Sequence, residues 1–198
     1  MKTKMVVGLL LMAALILSLV PTTALADGTY GGLLVTGGTE TVDYSYVGSR
    51  LTILTGTPLT LSGNTSATNI VIDTNVTANL TLQNATIDAR SLGAAIHLFD
   101  GATLNLTVLG ENILRSKDTY GGIEAASGKT LVITAESTGT LNVTGGYDGA
   151  GIGGGKNGGG GHITIWNGTI NATGNQDGQA LAAAKTVQAA PLSSAAVR

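Results

Sequence analysis

Between Leu51 and Gly178 the apolar residues come in short runs that alternate with polar ones, and Gly, Asn, Asp or Ser closes each run. A two-residue period belongs to strands with one buried face, and the region carries no helical period. The first strands expected are Leu51-Thr-Ile-Leu, Leu59-Thr-Leu, Asn69-Ile-Val-Ile, Leu80-Thr-Leu, Leu104-Asn-Leu-Thr-Val, Leu131-Val-Ile and Ile163-Thr-Ile-Trp. Second strands follow at Ala85-Thr-Ile, Asn112-Ile-Leu, Leu141-Asn-Val and Thr169-Ile-Asn-Ala. Val, Ile and Leu take the inward positions, and Thr and Asn sit between them.

The main alternations begin at Leu80, Leu104, Leu131 and Ile163, a loose period that lengthens along the chain. One such repeat cannot bury its own apolar face, so the repeats must stack, each strand pairing with its equivalent one repeat along. The expected fold is all-β: a right-handed, single-stranded parallel β-helix (a solenoid). Its coils span 51-178, after an N-terminal capping segment at 27-50.

Segment 1-26 reads differently. Lys2 and Lys4 precede the apolar run Val6–Val20, and Ala24-Leu25-Ala26 forms a small-x-small cleavage site. The segment is therefore expected to be a secretory signal peptide, not a retained anchor, and no later run is apolar enough to span a bilayer. The expected product is secreted or extracellular, on the cell surface in its full-length parent. Without Lys2 and Lys4, the 10 basic and 12 acidic residues become 8 and 12, a net charge of −4. Nucleic acid as a partner would call for a basic stripe instead. With no Cys, the exported chain has no disulfide staples.

Asn-x-Thr/Ser triplets occur at Asn64, Asn75, Asn79, Asn84, Asn105, Asn142, Asn167 and Asn171. They track the strand period, which favours turn and ladder roles for these asparagines over sugar attachment.

The tail poses a separate question. Asp148–Gly174 reads DGAGIGGGKNGGGGHITIWNGTINATG, and Asp177-Gly178 opens a second copy that dissolves into QALAAAKTVQAAPLSSAAVR. Each alanine codon, shifted by one base, ends in GC and can specify only Gly, Ser, Cys or Arg. With suitable third bases, one base inserted in the Gly178 codon gives DGAGIGGGKNGSGGTIIISGGT. That string matches Asp148–Thr169 at 17 of 22 positions. Segment 179-198 is thus expected to be an aberrant Ala-rich tail, out of frame or disordered, on a C-terminally truncated solenoid.

The string GAGIGGG-x-x-G-x-GG-x-ITI-x-x-GTI-x-ATG resembles the glycine-rich repeats of bacterial cell-surface proteins with parallel β-helix domains. The preceding coils are similar to those of carbohydrate-binding β-helix proteins. The resemblance covers roughly Val47 to Gly178. It implies export, often wall attachment, and polysaccharide or a host or cell-wall glycan as partner. The expected role is that of a non-catalytic carbohydrate-binding or adhesin-type protein. The alternatives are a β-helix polysaccharide lyase or glycoside hydrolase, and a purely structural surface stalk.

Candidate chemistry is sparse. The Gly153–Gly158 stretch is formally G-x-G-x-x-G, but a strand pattern follows it where a phosphate loop needs a helix. The carboxylates form no D-x-D pair, and His97 and His162 are isolated, so no catalytic residue is assigned. Asp88, Asp100, Asp118, Glu124 and Asp148 fall at turns. There carboxylates and carbonyls can meet a calcium ion, or serve as turn residues and solvated charges. Asp100, Asp118, Glu124 and Asp148 are the candidate calcium ligands, and no other cofactor is expected. Trp166 points outward by alternation, and Tyr120 and Tyr147 adjoin glycines. These three aromatics are the candidate sugar-stacking surface.

Overall fold

The computed structural model describes residues 27–175. Segment 1-26, expected to be a signal peptide, and the Ala-rich segment 179-198 lie outside the described residues, as do Asp177 and Gly178. The described residues are all-β, with sixteen strands and no helix.

The N-terminal segment holds three strands that the alternation did not reveal: β1 (Gly28–Tyr30), β2 (Leu33–Thr36) and β3 (Tyr44–Val47). They pair antiparallel, β1 with β2, β2 with β5 (Leu59–Thr65), and β3 with β4 (Arg50–Ile53). Leu33, Val35 and Tyr44 are fully buried there. The edge of Tyr30 meets the Tyr44 ring at a centroid distance of 5.7 Å.

Among β4 and the strands that follow it, every pairing is parallel. The six-stranded sheet continues through β6 (Asn69–Ile72), β8 (Ile96–Leu98), β11 (Ile123–Glu124) and β14 (Ile152–Gly153). Leu51, Ile70, Ile96, Ile123 and Ile152 stand opposite one another in register, and all are fully buried.

The ten-stranded sheet is organised around β7 (Thr77–Ala89). Its first half pairs with β9 (Thr103–Leu109) and its second half with β10 (Glu111–Ser116). Beyond β9 lie β12 (Thr130–Ile133) and β15 (His162–Ile165); beyond β10 lie β13 (Thr140–Thr144) and β16 (Thr169–Thr173). Leu59, Leu80, Leu106, Ile133 and Ile165 form one apolar row; Ile87, Leu114, Val143 and Ala172 form another. All three rows join one hydrophobic core. Parallel strands need long connections, and here the strands of the other rows serve as those connections.

Two readings need correction. Leu80 stands opposite Leu106, whereas Leu104 faces Ala78. The strand begins earlier than its large apolar residues suggest, because the fully buried Ala78 occupies the inward position. Asn105 Nδ2 donates to Asn79 Oδ1 at 2.9 Å and ties that register. The two strands expected around Leu80 and Ala85 are one strand that bends at Asn84, whose φ is 53°. The steps from Leu104 to Leu131 and from Leu131 to Ile163 match the observed pairings.

The triplet asparagines have backbone and ladder roles. Asn75 and Asn84 adopt left-handed φ, Asn171 Nδ2 donates to Asn142 Oδ1 at 2.8 Å, and Asn167 Nδ2 donates to the Ala135 carbonyl at 3.1 Å.

Candidate functional site

Inward residues of β7, β10, β13 and β16 are committed to the core, so any site on this face is built from the residues between them. One outward row runs Asp88, Arg115, Thr144 and Thr173 in register. Where β10 and β13 end, the chain turns, and the later turn lies directly on the earlier one. Gly146 N donates to the Tyr120 carbonyl at 2.9 Å, and Asp148 N donates to the Asp118 carbonyl at 2.7 Å. A Cβ at Gly146 would strike the Lys117 carbonyl, and one at Gly149 the Tyr120 carbonyl. Glycine is required here by close approach of backbone to backbone.

That packing leaves the Tyr147 side chain outside, and the residue is 52% exposed. Beside it opens a groove of about 380 Å³, lined by Arg90, Arg115, Asp118, Thr144, Tyr147 and Asn175, with Ser116, Gly145 and Gly146. Arg90 grips Asp88 with two donors, Nε to Oδ1 at 2.8 Å and Nη2 to Oδ2 at 2.6 Å. These bonds hold the Asp88 carboxyl below the usual carboxylate range, and the nearby Arg115 charge adds to the effect. Arg115 makes no ion pair among the described residues. Asn175 Nδ2 donates to the Gly145 carbonyl at 3.0 Å, which fixes the groove wall.

Of the three candidate aromatics, Tyr147 lines this groove. Tyr120 lies on the adjacent turn, half-buried, its ring 3.9 Å from where a Cβ on Gly93 would sit. Trp166 does not join them. It is 40% exposed and follows β15, before the strand β16 that pairs with β13. Tyr147 follows the far end of that strand pair.

The four candidate calcium ligands are not gathered. Asp100 pairs with Lys129 at 3.1 Å, Asp148 pairs with Lys156 at 2.8 Å, and Asp118 lines the groove. Glu124 stands on β11, where burial raises its carboxyl above the usual range and Oε2 has no hydrogen-bond partner. No group of three or more His, Asp or Glu residues is placed to hold a metal ion among the described residues.

The glycine-rich segment after Ile152 folds back over this region. Lys156 N donates to the Thr119 carbonyl at 2.8 Å, and Gly161 N donates to the Ala125 carbonyl at 2.8 Å. It leads into β15, not into a helix. His97 and His162 stand in different sheets. Burial and the charges of Lys129 and Arg50 hold the His97 imidazole below its ordinary pKa.

Sequence reasoning missed Arg90, Arg115, Thr144 and Asn175 as site residues. The usable signal was the nearly constant step from Asp88 to Arg115 and from Arg115 to Thr144, which sets all three on one outward row. A second groove, of about 490 Å³ between Leu34 and Asn84, has no charged or aromatic lining residue. The first groove combines a guanidinium fork, a carboxylate acceptor, a hydroxyl and an aromatic ring, groups that can donate to, accept from and stack against a polar ligand. No helix among the described residues is long and apolar enough to cross a membrane. No protein-family model, curated protein or solved structure matches the chain.

Proposed function

We propose that this chain is a right-handed parallel β-helix from a bacterial surface protein, exported by its signal peptide, and that it binds polysaccharide or a host or cell-wall glycan without cleaving it. The parallel stacking of Ile70, Ile96, Ile123 and Ile152 at nearly even steps supports the β-helix reading, as does the resemblance of the glycine-rich repeat. The observation that carries the binding role is the groove in which the exposed Tyr147 stands beside Arg115, Asp118 and Thr144.

An aromatic ring offers an apolar face to the C–H side of a sugar, and flanking polar groups bond its hydroxyls. Binding is favoured over cleavage because glycoside hydrolysis by its usual route takes two carboxyl groups flanking one bond. The lining supplies one, Asp118, and the neighbouring Asp88 is held in both oxygens by Arg90.

A glycan array probed with the full secreted chain tests the reading. Retention on a defined set of glycans, with no reducing ends released from them, is the expected result. Silence across the array would leave a structural stalk as the better account, and released sugar would make the protein an enzyme.

A further inference from the structure

Beside the groove, one of two guanidiniums takes both oxygens of the Asp88 carboxylate. Asp88 stands directly across from Arg115 in the β7–β10 register, yet both its oxygens are bonded to Arg90. Arg115 is half-buried, faces the groove and has no ion pair among the described residues. No Arg115 nitrogen is both buried and without a partner, so the guanidinium stays open to an acceptor that replaces its water. Asp118, on the same lining, is not within ion-pair range of either arginine.

We propose that Arg115 receives the carboxylate of an acidic sugar, so that the glycan bound in this groove is a polyuronate. The inference rests on the glycan-binding reading and narrows it. A planar guanidinium meets a carboxylate through two parallel N–H···O bonds, a geometry that an ammonium cannot reproduce. Thr144 stands opposite Arg115 in register and lines the same groove. Asp118 on the same lining can accept from ring hydroxyls, and the exposed Tyr147 can cover the ring face. A neutral sugar would fill the same space but leave Arg115 without its counter-charge.

Affinity electrophoresis of the full chain tests this, in gels containing polygalacturonate, alginate or hyaluronan, each beside its carboxyl-reduced form. The expected result is retardation by at least one polyuronate, with a loss of about tenfold to a hundredfold in affinity on carboxyl reduction or in Arg115→Gln. Arg115→Lys should recover only part of that loss. Should Arg115→Gln fail to fold, judged by its far-ultraviolet spectrum, the two polymer forms compared on the unaltered chain decide alone. Equal retardation by both forms, or an unaffected, folded Arg115→Gln, overturns the acidic-sugar inference and leaves glycan binding standing. No retardation by any polymer, acidic or reduced, overturns the inference; glycan binding itself falls only if the array is also silent.

Discussion

Asn112 Oδ1 accepts a hydrogen bond from the backbone nitrogen of Ala85 at 2.8 Å, across the parallel pair β7–β10, and both residues are fully buried. The bond is half of an exchange. One residue earlier on each strand, Glu111 N donates to Asn84 Oδ1 at 3.1 Å. The chain bends here on both passes, within β7 at Asn84 and just before β10 at Gly110, which have φ of 53° and 66°. A bend pulls backbone groups off the ladder, and asparagine side chains restore their partners.

Asn112→Ala is therefore expected to destabilise the protein by about 3 kcal/mol. It strands the Ala85 N–H, and it strands the Leu109 carbonyl that Asn112 Nδ2 now reaches at 3.0 Å. Urea unfolding, followed by circular dichroism at neutral pH, should show the midpoint falling with the slope preserved. An unchanged midpoint would mean that water or a shifted backbone takes over both groups.

Glycines in the stacked turns should differ sharply in tolerance. A methyl group at Gly149 would collide with the Tyr120 carbonyl, a backbone atom with no room to retreat. A methyl at Gly159 meets nothing within 4 Å. Gly149→Ala should cost about 3 kcal/mol or more, and Gly159→Ala about 0.5 kcal/mol or less. Thermal melts of the two variants check the contrast.

Stability should fall as pH rises above the ordinary glutamate range. Burial raises the folded-state pKa of Glu124 above its ordinary 4.5, so between those two values the folded chain holds a proton that the unfolded chain has released. That contribution is fully present below 4.5 and is lost as pH climbs through the raised value. Asp88 acts in the opposite sense. Its depressed pKa contributes stability above its ordinary 3.8 that is lost as pH falls through the depressed value. Glu124→Gln should flatten the decline above pH 4.5 and leave the acid limb intact. Denaturant midpoints taken from about pH 3 to 8 measure both limbs.

Strand rows and the floor of the stack were legible because large β-branched and Leu side chains alternate there with Thr and Asn. Leu104, Leu131 and Ile163 could be aligned by eye. Where a small residue fills an inward position, as Ala78 does, the pattern loses its first member and the register slips by two. The N-terminal strands were hidden for a related reason. β1 and β2 alternate over only a few residues each, and their core-facing positions are divided among Leu33, Val35 and Tyr30. The groove was the least legible feature. Its members come from separate passes of the chain, so Arg90, Arg115 and Asn175 each look solitary in the sequence and acquire neighbours only through the register.

Calorimetric titration of Tyr147→Ala and Trp166→Ala, against a glycan retained by the unaltered chain on the array, decides whether the groove is the binding site. In the proposed binding mode the sugar lies against Tyr147 and away from Trp166. Loss of one stacked aromatic should weaken binding by about tenfold for Tyr147→Ala, while Trp166→Ala binds as the unaltered chain does. The reverse pattern would put the ligand on the other end of the strand row and remove the groove from the binding site.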